Sequence, residues 1–137
     1  MKNPLTYHEG KDPDWFDDQY NLRAARPDYE VAVIPGWLEN SQTARAMLDC
    51  TLDIRYGDGE KQKLDVFHCG DATAPTLIWI HGGYWQRGDK SVYSFLATPF
   101  VQKGVNVVVV GYDLCPSISM TRLTEELREA MAFIWVE

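Results

Sequence analysis

The chain has 137 residues, a mass of 15.7 kDa, a formal charge of −7 and a sequence pI near 4.9. That acidity argues against nucleic acid or an anionic membrane as partner, since both select a basic face, and it leaves a small-molecule substrate open. A hydrophobic content of 45% is that of a soluble globular domain with a real core. Cys50, Cys69 and Cys115 are odd in number, widely spaced and without a CxxC pair. They suggest neither a disulfide framework nor a zinc site, and read as reduced thiols of a cytoplasmic protein. The first fifteen residues are polar and acidic, unlike a signal peptide, and no apolar run approaches the ~18 residues of a membrane span.

Residues 1–50 read as a helical, irregular lead-in. Pro13 can start a helix carrying Trp15, Phe16 and Tyr20, and Asn40 or Ser41 can cap a second one through Leu48. The acidic group Asp12, Asp14, Asp17 and Asp18 lacks the glycine and closing glutamate of a calcium loop, so it reads as a solvated helix start. From Thr51 the pattern changes to strict alternation, with Leu52, Ile54 and Tyr56 on one face and Asp53 and Arg55 on the other. Gly57-Asp58-Gly59 predicts a hairpin turn with positive φ, and Leu64, Val66 and His68 alternate on a return strand.

Segments 76–80 and 106–110 are continuously apolar, which predicts strands buried on both faces. Between them a helix is expected over Ser91–Lys103, with Val92, Phe95, Leu96 and Phe100 on one stripe and Gly104 as its stop. Strand, helix, strand in that order implies a right-handed parallel crossover. After a loop from Gly111 to Met120, Leu123, Leu127, Ala130, Met131 and Ile134 recur at helical spacing, with Arg122 and Glu126 expected on the outer side. This helix runs to Glu137 with no stop signal and rising apolar density. The expected organisation is therefore a lead-in over 1–50 and, over 51–137, the N-terminal part of a longer α/β protein.

The chemistry concentrates at His81-Gly82-Gly83-Tyr84-Trp85, directly after the apolar 76–80 strand. Adjacent glycines let backbone approach a substrate without a Cβ in the way, and their N–H groups can face a developing oxyanion. Glycines placed after a buried strand and before a helix are the setting of the oxyanion loop in α/β-hydrolases. His8, His68 and His81 lack metal-ligand spacing, so His81 is expected to brace the loop while backbone does the chemistry. Tyr84 and Trp85 either line an aromatic substrate pocket or pack the loop down. Serines 41, 91, 94, 117 and 119, and likewise Cys69 and Cys115, lack the flanking glycines of a nucleophile elbow.

These residues carry a family resemblance. His81-Gly82-Gly83-Tyr84-Trp85 resembles the HGGxW motif of kynurenine formamidases (arylformamidases), in the esterase branch of the α/β-hydrolases. Gly111-Tyr112-Asp113-Leu114-Cys115-Pro116 is similar to the YDLCP segment of that branch, and Tyr20, Asn21, Arg23, Trp37, residues 41–49 and Tyr56-Gly57 share the likeness. The resemblance implies a cofactor-free, metal-free serine hydrolase converting N-formylkynurenine to kynurenine and formate. A broad carboxylesterase, and a non-catalytic binding product, are the alternatives. It also implies that Gly83 and Tyr84 N–H groups hold the oxyanion, that Gly82 gives clearance, and that the complete protein can form a homodimer. The serine, acid and histidine of the triad come later in the family, so the 137 residues alone are expected to be inactive. In the sheet that the chain resembles, the 76–80 strand lies between the 106–110 strand and the strand leading to the nucleophile, so Leu77–Ile80 are expected to form an exposed apolar edge.

Overall fold

The computed structural model describes residues 10–136; the first nine residues, His8 among them, and Glu137 lie outside the described residues. The described residues form two compact units, one ending at Pro35 and the other beginning at Gly36. In the first, helix α1 (Pro13–Tyr20) starts where its proline predicts, and the Asp12 carboxylate caps it by accepting the Trp15 N–H at 2.8 Å. The aspartates around it are exposed, as a solvated helix start requires. A short helix α2 (Leu22–Ala25) and a π-helical turn (Tyr29–Val33) follow.

Helix α3 (Ile34–Met47) begins earlier than the Asn40 or Ser41 cap expected from the sequence. Ser41 is instead buried inside the helix, where its Oγ donates to the Val92 carbonyl at 2.7 Å and accepts the Phe95 N–H at 3.1 Å. The hydroxyl joins the helix to a distant segment rather than ending it.

Strands β1 (Cys50–Arg55), β2 (Lys63–Phe67), β3 (Thr76–Ile80) and β4 (Asn106–Val110) form one sheet in the order β1-β2-β4-β3. β1 and β2 pair antiparallel, as do β2 and β4, while β3 and β4 pair parallel with Ile80 opposite Val110. The antiparallel hairpin and the parallel crossover agree with the sequence pattern. Strict alternation along β1 does not hold. The register shifts between Thr51 and Ile54, and Asp53 at φ +58° forms a bulge that leaves Leu52 exposed.

The turn glycines are also used differently. Neither Gly57 nor Gly59 has positive φ. A Cβ on Gly59 would sit 2.4 Å from the Asp113 carboxylate, so the residue is glycine because another loop passes there.

The sheet is covered on both faces. On one, Leu64, Val108 and Val110 pack with Ala130 of helix α5 (Met120–Val136). On the other, Phe67, Val107 and Val109 pack with Ala97 of helix α4 (Ala97–Val101). The expected helix over Ser91–Lys103 is in fact a 3-10 segment (Lys90–Leu96) running into α4. The tighter turn lets the Asp89 carboxylate cap its start and lets Arg45 donate to Ser91 O and Ser94 Oγ.

Two further expectations need correcting. β4 is buried on both faces, but β3 is half-exposed because among the described residues it pairs with β4 alone. That is the edge the resemblance implied. Glu126 lies inside, not on the outer side of α5: its carboxylate accepts the Asp113 N–H at 2.9 Å and faces Arg122 at 3.5 Å.

An ion cluster, buried at Lys90 and Asp65 and exposed at Asp53, ties the layers together. Lys90 Nζ bonds Asp65 Oδ1 on β2 and lies 2.9 Å from Asp53 Oδ1 at the β1 bulge. Asp65 also accepts the Asp53 N–H at 2.9 Å. Removing one member strands a buried charge, so Lys90→Ala is expected to lower unfolding free energy by about 3–5 kcal/mol in urea melts. The paired change Lys90→Met with Asp65→Leu should recover most of that loss. Equal destabilisation by the single and paired changes would show that packing, and not the stranded carboxylate, sets the cost.

Candidate functional site

The parallel register delivers two loops to one end of the sheet. β3 ends at Ile80 and β4 at Val110, so His81 emerges beside Gly111 and Tyr112. The His81 ring is buried between two tyrosines, 4.4 Å from the Tyr112 centroid and 5.7 Å from that of Tyr93, nearly parallel to both. The Tyr112 hydroxyl donates to the His81 carbonyl at 2.6 Å.

His81 Nδ1 lies 2.8 Å from the Gly82 carbonyl. A carbonyl only accepts, so the neutral ring carries its proton on Nδ1. Burial holds the imidazole below its ordinary pKa against the opposing pull of that carbonyl and of Asp89, keeping it neutral at physiological pH. The consequence reaches the next residue. In a trans peptide the C=O and N–H point opposite ways, so fixing the Gly82 carbonyl on His81 turns the Gly83 N–H away from the imidazole.

The loop then runs through three left-handed residues, Gly83 at φ +126°, Tyr84 at +53° and Trp85 at +59°. Bulky side chains rarely adopt that region, and each such residue stores roughly 1–3 kcal/mol that its surroundings must hold. Three ties hold it. The Gly83 carbonyl accepts the Gln86 and Arg87 N–H groups at 3.1 and 3.0 Å, and the Trp85 carbonyl accepts the Cys115 N–H at 2.8 Å. Asp89 anchors the far end by accepting from Lys61 Nζ at 2.9 Å and from the Ser91 N–H and hydroxyl.

Glycine is demanded at two positions here. A Cβ on Gly83 would lie 2.1 Å from the Arg87 carbonyl oxygen, and one on Gly88, at φ +101°, would lie 2.6 Å from His81 Nδ1. A Cβ on Gly82 would meet nothing within 4 Å, so its bareness leaves the outer side of the loop clear.

Neither the Gly83 nor the Tyr84 backbone N–H donates to another described residue. Both residues, with His81, Gly82, Trp85 and Tyr112, line an open cavity of about 350 Å³. Tyr84 is 70% exposed and Trp85 50%, their rings meeting edge to face at 6.2 Å. Both aromatics are exposed and line the cavity.

The sequence-predicted residues His81, Gly82, Gly83, Tyr84 and Trp85 thus converge on one cavity. Sequence reasoning missed Gly88, the Tyr112 side chain and the Lys61–Asp89 anchor. Gly88 carried a signal, being a third glycine seven residues past His81 just before a helical stretch. Among the described residues no cluster of His, Cys, Asp or Glu is arranged to hold a metal ion, and no helix is long and apolar enough to cross a membrane. The serines sit elsewhere: Ser41 and Ser94 are buried and hydrogen-bonded, and Ser91 pairs with Asp89.

No protein-family model matches the chain. It is 34% identical over 118 residues to a kynurenine formamidase of Salmo salar, which covers 85% of this chain and 40% of that protein. A Drosophila melanogaster kynurenine formamidase is 31% identical over 132 residues, 90% of this chain and 44% of that one. Over these stretches the chain is similar in sequence to the kynurenine formamidases. It spans about two fifths of the length of the curated relatives it matches. Among solved structures, a putative thioesterase from Silicibacter sp. superposes with a TM-score of 0.73 at 30% identity, over 87% of this chain and 46% of that one. The sheet and its helices are part of an α/β-hydrolase fold.

The anchor at Asp89 sets a pH dependence. Burial pushes this carboxyl up, but the Lys61 ammonium and the Ser91 donors outweigh it and hold its pKa at about 2, below the usual 3.8. A depressed carboxylate contributes stability above its unfolded pKa and loses it as pH falls through the folded value. Stability should therefore fall between about pH 5 and pH 2 by an amount that Asp89→Asn abolishes, read from urea midpoints at each pH. Parallel pH profiles for the parent and Asp89→Asn would remove Asp89 from the acid response.

Proposed function

We propose that this chain supplies the oxyanion-binding part of a cytoplasmic α/β-hydrolase that removes the formyl group from an aromatic amine, with N-formylkynurenine, yielding kynurenine and formate, as the substrate implied by its relatives. The observation that carries this is the pair of consecutive, unshared N–H groups of Gly83 and Tyr84 on a strained loop at the C-terminal end of a parallel strand.

In the reaction, a serine oxygen adds to the formyl carbon and its proton passes to the triad histidine. The carbonyl oxygen becomes an oxyanion, which the Gly83 and Tyr84 N–H groups stabilise. The C–N bond breaks, the amine leaves with the proton, and water releases formate from the formyl-serine. His81 does not exchange protons here. Locked by Tyr93 and Tyr112, it holds the Gly82 carbonyl and so orients the Gly83 donor. Tyr84 and Trp85 offer ring faces and edges to the aryl group. No cofactor enters any step.

Ester or thioester hydrolysis is the competing reading, favoured by the putative thioesterase described above. The higher kcat/KM separates the two, a formyl anilide against a short p-nitrophenyl ester.

Two outcomes test the proposal. In a complete enzyme containing this chain, Gly83→Val should lower kcat about 10²-fold or more, because the branched side chain meets the Arg87 carbonyl and displaces a donor. An unchanged kcat would place the oxyanion elsewhere. The purified 137-residue chain, which contains no nucleophile elbow, should not turn over formyl amides or aryl esters or react with fluorophosphonate probes. Turnover by pure material would require a nucleophile of another kind.

A further inference from the structure

The turn between β1 and β2 lies at the edge of the sheet opposite β3, yet it is bonded to both loops of the candidate site. Its backbone is fixed on the segment that follows β4. The Lys61 N–H donates to Asp113 Oδ1 at 2.8 Å, and the Gly111 N–H donates to the Lys63 carbonyl at 2.8 Å. The Tyr56 hydroxyl donates to the Gly111 carbonyl at 2.6 Å, and a Cβ on Gly111 would lie 2.8 Å from the Lys61 carbonyl oxygen, so the two segments touch backbone to backbone. Helix α5 holds the same place from the other side, where the Glu126 carboxylate accepts the Asp113 N–H.

From this fixed backbone the Lys61 side chain reaches the second loop. Its Nζ lies 2.9 Å from Asp89 Oδ2, at the end of the stretch that begins with His81. Gly88, one residue earlier, passes so near the imidazole that a Cβ there would lie 2.6 Å from His81 Nδ1. Lys61, Asp89, His81 and Tyr112 line one cavity of about 340 Å³, so the bond crosses open space and not a packed interface. Ser91 bonds the other Asp89 oxygen, but from within the same segment, and Lys90 fixes the chain one residue farther from the imidazole. Of these three, Lys61 is the residue that ties Gly88–Asp89 to the loop carrying Tyr112.

We propose that Lys61 is a positioning residue for the oxyanion donors: with its N–H on Asp113 and its ammonium on Asp89, it holds the Tyr112 loop and the Gly88–Asp89 end of the His81 loop at a fixed separation, which keeps the imidazole seated on the Gly82 carbonyl and the Gly83 N–H turned away from it. This rests on the oxyanion reading above and adds a residue to it. Lys61 does not line the cavity of Gly83, Tyr84 and Trp85, so it acts through the loop and touches no reacting atom. With Lys61 36% and Asp89 45% exposed, the pair contributes modestly to stability. Its loss is therefore felt in the placing of a donor, which lowers kcat, and not in the aromatic contacts that set KM.

The test uses a complete enzyme containing this chain, with kcat on a formyl anilide measured per active site titrated by a fluorophosphonate, so that misfolded protein does not count. Lys61→Met should lower kcat about tenfold with KM within about twofold of the parent. Lys61→Arg should return kcat to within about threefold of the parent. The double variant Lys61→Met with Asp89→Asn should lose no more than the greater single loss, because both changes break one link. Should Lys61→Met fail to fold, Asp89→Asn decides, an about tenfold loss of kcat at unchanged KM supporting the proposal and an unchanged kcat overturning it. Equal kcat in Lys61→Met and the parent, single losses that multiply, or a loss that Lys61→Arg does not recover would each overturn it. Gly83→Val, run beside them, separates the two levels. If it lowers kcat and Lys61→Met does not, the positioning role alone falls; if it leaves kcat unchanged, the oxyanion reading falls and this role with it.

Discussion

The parallel pairing of β3 with β4 is the constraint on which the site depends. Its register, with Ile80 opposite Val110, ends both strands at one level and sets the His81 loop beside the Tyr112 loop. Shifted by one residue, β4 would turn the other set of its side chains toward each packed layer, and Val108 and Val110 would leave the α5 face. The core therefore fixes the register, and the register brings Tyr112 to His81. From there the order propagates through short polar links: the Tyr112 hydroxyl to the His81 carbonyl, the imidazole to the Gly82 carbonyl, and through the peptide plane to the Gly83 N–H.

Charge supports this arrangement from behind. Lys90 follows directly on the loop's last anchor, Asp89, and reaches across to Asp65 and Asp53 on two strands. Buried ion groups of this kind seldom add net stability over apolar packing, so position is the better account of them here. The β1 bulge fits that view. Asp53 takes up left-handed backbone, at some cost, where its N–H and carboxylate meet Asp65 and Lys90. The result is a strained Gly83–Trp85 segment suspended between fixed ends.

Much of this was legible in the residues, and the failures have physical causes. The runs at 76–80 and 106–110 announced strands, and the glycine pair after the first announced a loop. Periodicity cannot separate a strand buried on both faces from an apolar edge, so the run at 76–80 by itself predicts an interior strand and only the likeness to a larger sheet marks it as an edge. Alternation along Leu52, Ile54 and Tyr56 concealed the bulge, because the sequence does not reveal that Asp53 has a buried lysine to meet. Glu126 looked like the outer half of a helical pair with Arg122. Its carboxylate is drawn inside by the Asp113 N–H, a partner on another loop that no local spacing encodes. Ser41 misled in the same way, as a typical capping residue serving a tertiary bond.

In the proposed function backbone acts more than side chains, since the acting groups would be amide protons and the side chains around them determine where those protons point. The most direct measurement is a crystal structure of a complete hydrolase containing this chain, with its serine captured by a phosphonate that mimics the tetrahedral intermediate. The phosphonyl oxygen should lie about 2.7–3.1 Å from both the Gly83 and Tyr84 nitrogens, with the Gly82 carbonyl still on His81 Nδ1. An oxygen held by other donors, or a Gly82 carbonyl turned toward it, would contradict the assignment.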